Sequence, residues 1–395
     1  MSASKPSTIL PDPPEELKQL SQALGHKMRL ESARDGFMPF SRYMEMALYE
    51  PGLGYYSAGL NKLGAGGDFI TAPELGSLFA CCIARQVEQV ATVLGSYDIL
   101  ELGAGTGKMA LDLLRQLPDS RQPKRYMILE RSADLRLVQQ QLMAKWLPGW
   151  QDRVKWLSTP PGDHWDGVLL ANEVMDALVV ERFRVGVNDV EQVGVAHGGN
   201  GFEWSFRPAP AGLEQAVSAL GIKANGPYTS ELNLHLEGWL SVVTSRLRTG
   251  LALFIDYGYP RSEYYRPDRT EGTLMCHYRH RAHSDVFFWP GLQDITAFVD
   301  FTALAEAADA CALEVAGYTS QSMFLLGCGL DRVLARQKTG NAAANLRLNA
   351  EARQLTLPGN MGERFQVMAL TRDLDLGGLD IPLCGFSLRD LRHRL

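Results

Sequence analysis

The sequence predicts an α/β protein built on a doubly wound, mostly parallel sheet, and three observations carry that reading. Short apolar runs near 97–102, 125–130, 153–157 and 166–171 alternate with helix-period stretches near 107–117 and 133–146. Such a βαβα order places parallel strands in one sheet with helices on both faces. The first run ends in Glu101-Leu102-Gly103-Ala104-Gly105-Thr106-Gly107, where missing Cβ atoms let the backbone turn sharply from strand to helix and let a ligand lie against the main chain. The fourth ends in Asn172-Glu173-Val174-Met175-Asp176, at the carboxyl edge where open α/β sheets hold ligands.

The segments follow in order. Met1 to Pro14 is rich in Ser and Pro, without arginine, and reads as a disordered tail with no secretory or mitochondrial address, so the cytoplasm is the expected location. Asp12 is placed to cap a helix whose inward face carries Leu17, Leu20, Leu24 and Met28. A further helix begins at Met38, and Pro51 to Tyr56 forms an aromatic turn. Gly64 to Glu74 is a glycine-rich loop suited to fold over a ligand and present Asp68 or Thr71. The expected divisions are a tail (1–14), a helical segment with this lid (15–90), a core (91–178), a small antiparallel insertion (179–228) and the rest of the core with helical insertions (229–395). Within that last part, Ser230 is expected to cap a helix running to Arg248 and closed by Gly250, and Leu251 to Asp256 to form a fifth parallel strand. Phe301 to Cys311 reads as a helix, while Leu313 to Tyr318 and Phe365 to Leu370 suit a closing antiparallel hairpin.

The glycine spacing narrows the ligand. A dinucleotide fingerprint wants glycine at the sixth place of G-x-G-x-x-G to bring the helix over a pyrophosphate, and Lys108 stands there. A flatter G-x-G-x-G turn preceded by Glu101 resembles the first motif of class I methyltransferases, whose cofactor, S-adenosyl-L-methionine, has no phosphate to cradle. Arg125 to Glu130 is an apolar run closing on one acid, placed to accept the ribose hydroxyls. Glu101, Gly103, Gly105, Gly107 and Glu130, with Asp68 and Thr71, are therefore the expected cofactor-binding residues. An oxidoreductase using a dinucleotide is the weaker alternative on a similar fold. A cofactor-binding assembly factor without turnover also remains open.

Asn172, Glu173 and Asp176, with Asp256 at the end of the fifth strand, put acids on the same rim, and burying them calls for partners. Arginine's guanidinium sheds a proton as its nitrogen is alkylated, and carboxylates paired to its other nitrogens would orient it and hold the charge. Glu173, with Asp176 or Asp256, has the type and place for that role. Glu181 reads instead as an outward position on an alternating strand, and the Tyr278-Arg279-His280-Arg281 cluster as a solvated loop.

Composition bounds the rest. The 395 residues carry a net charge of −6, with 46% hydrophobic and 21% charged residues; no basic balance invites nucleic acid and no apolar run reaches bilayer length. The six cysteines show no C-x-x-C and no histidine at metal spacing, which implies a reducing compartment, no metal site and structural thiols at Cys81-Cys82. Oligomeric state is not encoded in any of these signals.

Eight segments together resemble the MidA-like family: Met38-Pro39-Phe40-Ser41-Arg42-Tyr43-Met44, Gly54-Tyr55-Tyr56, Gly67 to Glu74, Glu101 to Gly107, Asn172 to Leu178, Asp256-Tyr257-Gly258, Gly272 to Arg279 and Gln293 to Phe301. They run in order from about residue 30 to 330. The resemblance implies a class I S-adenosylmethionine fold and, as in a mitochondrial member of that family, symmetric dimethylation of an arginine on a subunit of respiratory complex I; a protein substrate follows. Two departures stand out. Val179 replaces the proline that the family carries after Asn-Glu-x-x-Asp-Ala-Leu, and Arg336 to Leu395 holds no family motif.

Overall fold

A computed structural model describes residues 10–59, 71–186, 189–199, 201–222, 226–378 and 382–395. Their contacts divide into two compact units: the described parts of Met1–Ile70, Ala177–Leu234 and Tyr265–Ala297, and those of Thr71–Asp176, His235–Tyr264 and Phe298–Leu395. This division cuts the chain elsewhere than the sequence-based one, at 70/71, 176/177, 234/235, 264/265 and 297/298. Residues 72–90 join the parallel sheet's unit because their helices pack on its first helix, and 265–297 join the other unit through strands of their own.

The second unit holds the parallel sheet. Its elements are α1 (Ala72–Leu75), α2 (Leu78–Leu94), β1 (Asp98–Leu102), α3 (Lys108–Gln116), β2 (Tyr126–Leu129), α4 (Ala133–Trp146), β3 (Val154–Leu157), β4 (Trp165–Asn172), α5 (Leu236–Thr244), β5 (Leu247–Tyr259), α6 (Phe301–Ala310), β6 (Glu314–Ser320), α7 (Gln321–Gly327), α8 (Leu330–Gln337), α9 (Ala342–Thr356) and β7 (Phe365–Arg372). The strands lie in the order β6-β7-β5-β4-β1-β2-β3. All neighbours among β1 to β5 are parallel, whereas β7 runs antiparallel to both β5 and β6. The chain leaves β1 toward β2 on one side and β4 toward β5 on the other, so the order reverses between β1 and β4. Val168, Leu169, Leu170, Leu251, Leu253 and Phe254 are all buried, because helices cover both faces of a parallel sheet and its strands read as unbroken apolar runs. Each such side chain contributes about 1.5–3 kcal/mol on burial.

The expected helix from Ser230 to Arg248 is corrected. Tyr228–Leu232 is a strand paired antiparallel with Glu181–Val185, Ser230 is buried inside it, and the helix spans only Leu236–Thr244. Leu247 and Gly250 belong to β5. A glycine is needed at 250 for close approach of strands, since a Cβ there would stand 2.0 Å from the Gly167 carbonyl oxygen. Asp12 does not cap the first helix, Glu15–Ser32, whose N-cap is Pro14; it pairs with Lys18 at 3.3 Å. β6 and β7 pair as expected, but α7, α8 and α9 intervene, so they are no tight hairpin.

In the first unit, Val190–Gly198 carries Gly201–Pro208 on one side and Glu181–Val185 with Met38–Pro39 on the other, all antiparallel, and Tyr228–Leu232 completes the sheet. Phe40, Tyr43, Phe202, Trp204 and Phe287 form its aromatic core, and the buried Arg182 guanidinium lies 4.4 Å from the Trp204 ring centre. Glu181 accepts from Ser41 at 2.6 Å and from Gln192 at 3.0 Å. The Arg279-His280 cluster is the tip of a two-residue hairpin between Met275–Tyr278 and Arg281–His283, not a loose loop; both residues have positive φ (47° and 60°), as the twist of such a turn demands.

Candidate active site

The site forms at the carboxyl ends of β1, β2, β4 and β5. Gly103, Gly105 and Gly107 all take left-handed φ (61°, 55° and 86°), a region that charges side-chain-bearing residues about 1–2 kcal/mol. Gly107 caps α3, and its amide donates to the Ala104 carbonyl at 2.8 Å. A Cβ on Gly103 would reach Val174 Cγ2 at 3.4 Å, so the glycine turn and the loop after β4 face each other across the switch point.

Glu101 is buried in β1 and accepts from the Tyr126 hydroxyl at 2.7 Å. Burial pushes its carboxyl up to about 7, against the pull of that hydrogen bond. Glu130, directly after β2, is also buried. Its oxygens accept from the Ser132 amide at 2.9 Å and from Gln139 Nε2 at 3.3 Å, and burial raises its pKa. Ser132 itself caps α4, accepting from Leu135 at 3.4 Å. Glu130 is therefore free of helix-capping duty, and each oxygen keeps acceptor capacity for a hydroxyl.

Sequence reasoning missed Gln139, which joins these parts. From the middle of α4, fully buried, it donates to the Gly105 carbonyl at 2.8 Å and to Glu130, while its own carbonyl oxygen accepts from Trp156 Nε1 at 3.0 Å. Nothing local marks it, because Gln140 and Gln141 follow it directly. Glu74, Thr106 and Lys108 were also missed as partners. The Thr106 hydroxyl donates to Glu74, and Lys108 Nζ donates to the Gly76 carbonyl at 3.1 Å and pairs with Asp112. These contacts tie α1 to the glycine turn. Thr71 precedes α1 in extended backbone, and its carbonyl accepts from the Glu74 amide at 3.0 Å. Asp68 and most of the expected lid lie outside the described residues.

Past β4 the backbone does something sequence did not foretell. Glu173 has φ of +53°, left-handed for a long-chain acid, and its amide donates to the Ile255 carbonyl at 2.9 Å. Its carboxylate accepts from Asn172 Nδ2 at 3.2 Å and from the Ala72 amide at 3.4 Å. Asn172 Oδ1 is buried with no partner among the described residues. The tight bend is held from β5. Asp256 Oδ2 accepts from the amides of Val174, Met175 and Asp176 at 3.1, 2.8 and 3.2 Å, and Oδ1 accepts from Tyr257 at 2.8 Å. Burial raises the Asp256 pKa, and these four amides oppose the rise. Asp256 is buried, and through Oδ2 it gathers the amides of the loop that carries Glu173, while Oδ1 accepts from the Tyr257 amide. Asp176 is buried in that loop, and burial, helped by the charges of Glu173 and Asp176, raises the pKa of the half-buried Tyr257 hydroxyl. The structure thus groups Glu101, Gly103, Gly105, Gly107, Glu130, Asn172, Glu173, Asp176 and Asp256 at one edge of one sheet.

The glycine turn, which side chains would fill, the spare capacity of Glu130 and the orphaned Asn172 oxygen suit an S-adenosylmethionine molecule. Among the described residues, no group of three or more His, Cys, Asp or Glu could hold a metal ion, and no helix is long and apolar enough to cross a membrane.

This strand order, with the reversed β7 and the glycine turn at the switch point, defines a class I S-adenosylmethionine-dependent methyltransferase. Comparison with known proteins gives the narrower assignment. A family model described as "Putative S-adenosyl-L-methionine-dependent methyltransferase" matches residues 82–319, and the chain belongs to that MidA-like family. A Burkholderia thailandensis protein solved bound to S-adenosyl-homocysteine is 40% identical, with a TM-score of 0.92 over 98% of this chain and 100% of that one. The Drosophila melanogaster protein named protein arginine methyltransferase NDUFAF7 homolog, mitochondrial, is 27% identical over 95% of this chain and 93% of its own length. Its Danio rerio counterpart is 27% identical over 89% of each.

Proposed function

We propose that this methyltransferase alkylates a nitrogen of an arginine side chain in a protein substrate, with Glu173 as the guanidinium's partner. The observation that carries the reading is the left-handed Glu173, held at the switch point by a loop whose amides converge on Asp256. An acid is kept there against backbone preference, the pattern of a residue retained for chemistry. Bound S-adenosylmethionine supplies an electrophilic methyl. The protein's tasks are to align a nitrogen with it, exclude water and hold the guanidinium charge while one proton leaves. Glu173 meets the planar cation, Asp176 adds a second negative charge beside it, and Asp256 positions both through the backbone. Gly103 to Gly107 and Glu130 hold the cofactor. The names of the fly and fish relatives support arginine as acceptor, and a respiratory complex I-type subunit is the first substrate to test.

Glu173→Gln keeps the shape and removes the charge. Turnover, read as methylated arginine by mass spectrometry on extract from a strain lacking the gene, should fall by about two to three orders of magnitude, the scale for losing one preorganised electrostatic partner. Affinity for S-adenosylmethionine, read by calorimetry, should stay within about twofold. Methylated arginine formed at the normal rate by the variant would remove Glu173 as the guanidinium's partner; wild-type methylation of a residue other than arginine would remove the arginine assignment; cofactor binding with no turnover by the wild type would leave an assembly factor instead.

A further inference from the structure

Far along the chain from the catalytic loop, two cysteine sulfurs lie 3.8 Å apart. Cys384 opens a single turn, Cys384–Phe386, and Cys328 caps the end of α7. Both are held by fixed backbone. The amides of Cys384 and Gly385 donate to Gln89 and Gln86 of α2 at 2.8 and 3.0 Å, and a Cβ on Gly327 would stand 2.4 Å from the Cys384 carbonyl oxygen. Cys328 is buried, whereas Cys384 is half-exposed.

The two thiols differ in chemistry. Burial pushes Cys328 well above the usual thiol value, while Cys384 is drawn below it by the hydrogen bond with Cys328, by the Arg85 guanidinium and by amides of its own turn. Either sulfur can donate across their contact, and Cys384 Sγ also lies 3.5 Å from Gln86 Oε1; the opposite shifts favour Cys328 as the donor between the two. Arg85 has a buried Nε with no hydrogen-bond partner among the described residues, a costly arrangement that a neighbouring thiolate relieves. Cys311 provides the contrast: also half-exposed, it is pushed up by burial. A merely packed thiol behaves like Cys311. A partly exposed thiol drawn down beside a cation, with a second thiol 3.8 Å away, has the arrangement of a redox-reactive pair.

We propose that Cys384 is a site of oxidation by hydroperoxides and that Cys328 resolves it to an intramolecular disulfide. The Cys384 thiolate attacks one oxygen of the peroxide; an S–O bond forms, the O–O bond breaks, and hydroxide leaves. The sulfur is oxidised by two electrons and the peroxide reduced. Cys328 then gives up its proton and attacks the sulfenic sulfur, so that an S–S bond forms, the S–O bond breaks and water departs. The sulfurs must close by roughly 2 Å to reach bonding distance, a movement available to side-chain rotation. The bond would fasten the C-terminal segment to α7.

The full-length protein is treated with hydrogen peroxide at neutral pH, with and without dimedone, blocked with iodoacetamide and mapped by peptide mass spectrometry. The wild type should lose two of its six thiols to one Cys328–Cys384 disulfide that dithiothreitol reverses. Cys328→Ser should stop at a dimedone adduct on Cys384, formed about tenfold or more faster than any on Cys311, as the thiolate fractions dictate. Cys384→Ala should keep its remaining thiols. The wild-type map needs no variant to fold, so it stands as a test by itself. Survival of all six thiols, a Cys384 rate no greater than that of Cys311, or a bond from Cys384 to Cys82 would each overturn the proposal.

Discussion

Two buried carboxylates belong to strands of the same sheet, and they are satisfied in opposite ways. Asp256 on β5 accepts four hydrogen bonds, all from backbone amides, and three of these come from the loop after β4. Glu101 on β1 accepts one, from a tyrosine hydroxyl. Burial raises both pKa values. What differs is the use of the acid. A carboxylate that gathers several amides organises its own chain, whereas one with a single donor keeps lone pairs for a ligand or its environment. An acid's position at a strand end therefore does not reveal its task; its donors do.

The largest expected effect separates the two acids directly. Asp256→Asn points an amide group at backbone N–H donors that had a carboxylate, and should destabilise the protein by about 1.5–3 kcal/mol, the scale for hydrogen bonds to a charged group. Urea denaturation followed by circular dichroism measures it. In the folded fraction turnover should drop while S-adenosylmethionine affinity holds. A loss below about 1 kcal/mol would show that the amides do not depend on the charge.

On the other side of the comparison, Tyr126→Phe strips Glu101 of its partner. The expected loss is about 1–3 kcal/mol, the desolvation cost of an unsatisfied buried group, and Glu101→Gln in that background should recover part of it. If Tyr126→Phe is neutral in denaturant melts, Glu101 has another partner.

The last effect is a slope. Glu101 titrates near 7 in the folded protein, above an unfolded carboxyl near 4.3, so the folded state binds more protons across that window. Its contribution to stability is complete below about pH 4.3 and is lost as pH rises toward about 7. The fall is at most about 1.4 kcal/mol per pH unit for this one group. Subtracting the Glu101→Gln curve from the wild-type curve isolates it. A difference curve that is flat or rises with pH would mean that the folded protein keeps Glu101 ionised.

The same contrast explains what could be read in the sequence. The parallel strands were legible because burial on both faces leaves unbroken apolar runs, and the glycine turn because only glycine fits three left-handed positions in five residues. Glu130 and Glu173 were legible as acids closing such runs. Tyr228–Leu232 was not, because its pairing partner lies at Glu181–Val185 and the residues after it carry a helical period that absorbed Ser230. Gln139 was invisible among its glutamine neighbours. The partners of Asp256 were not legible for a related reason: they are backbone amides, every residue but proline has one, and only the bend decides which of them converge.

That bend has a consequence for how the chain can change. At φ of +53° glutamate is about 1–2 kcal/mol worse than glycine, so a search for heat-resistant variants made without an activity screen should drift to glycine or asparagine at position 173. Thermal melts of Glu173→Gly would then show a gain where turnover is lost, and the position would mark where robustness and chemistry draw the protein in different directions.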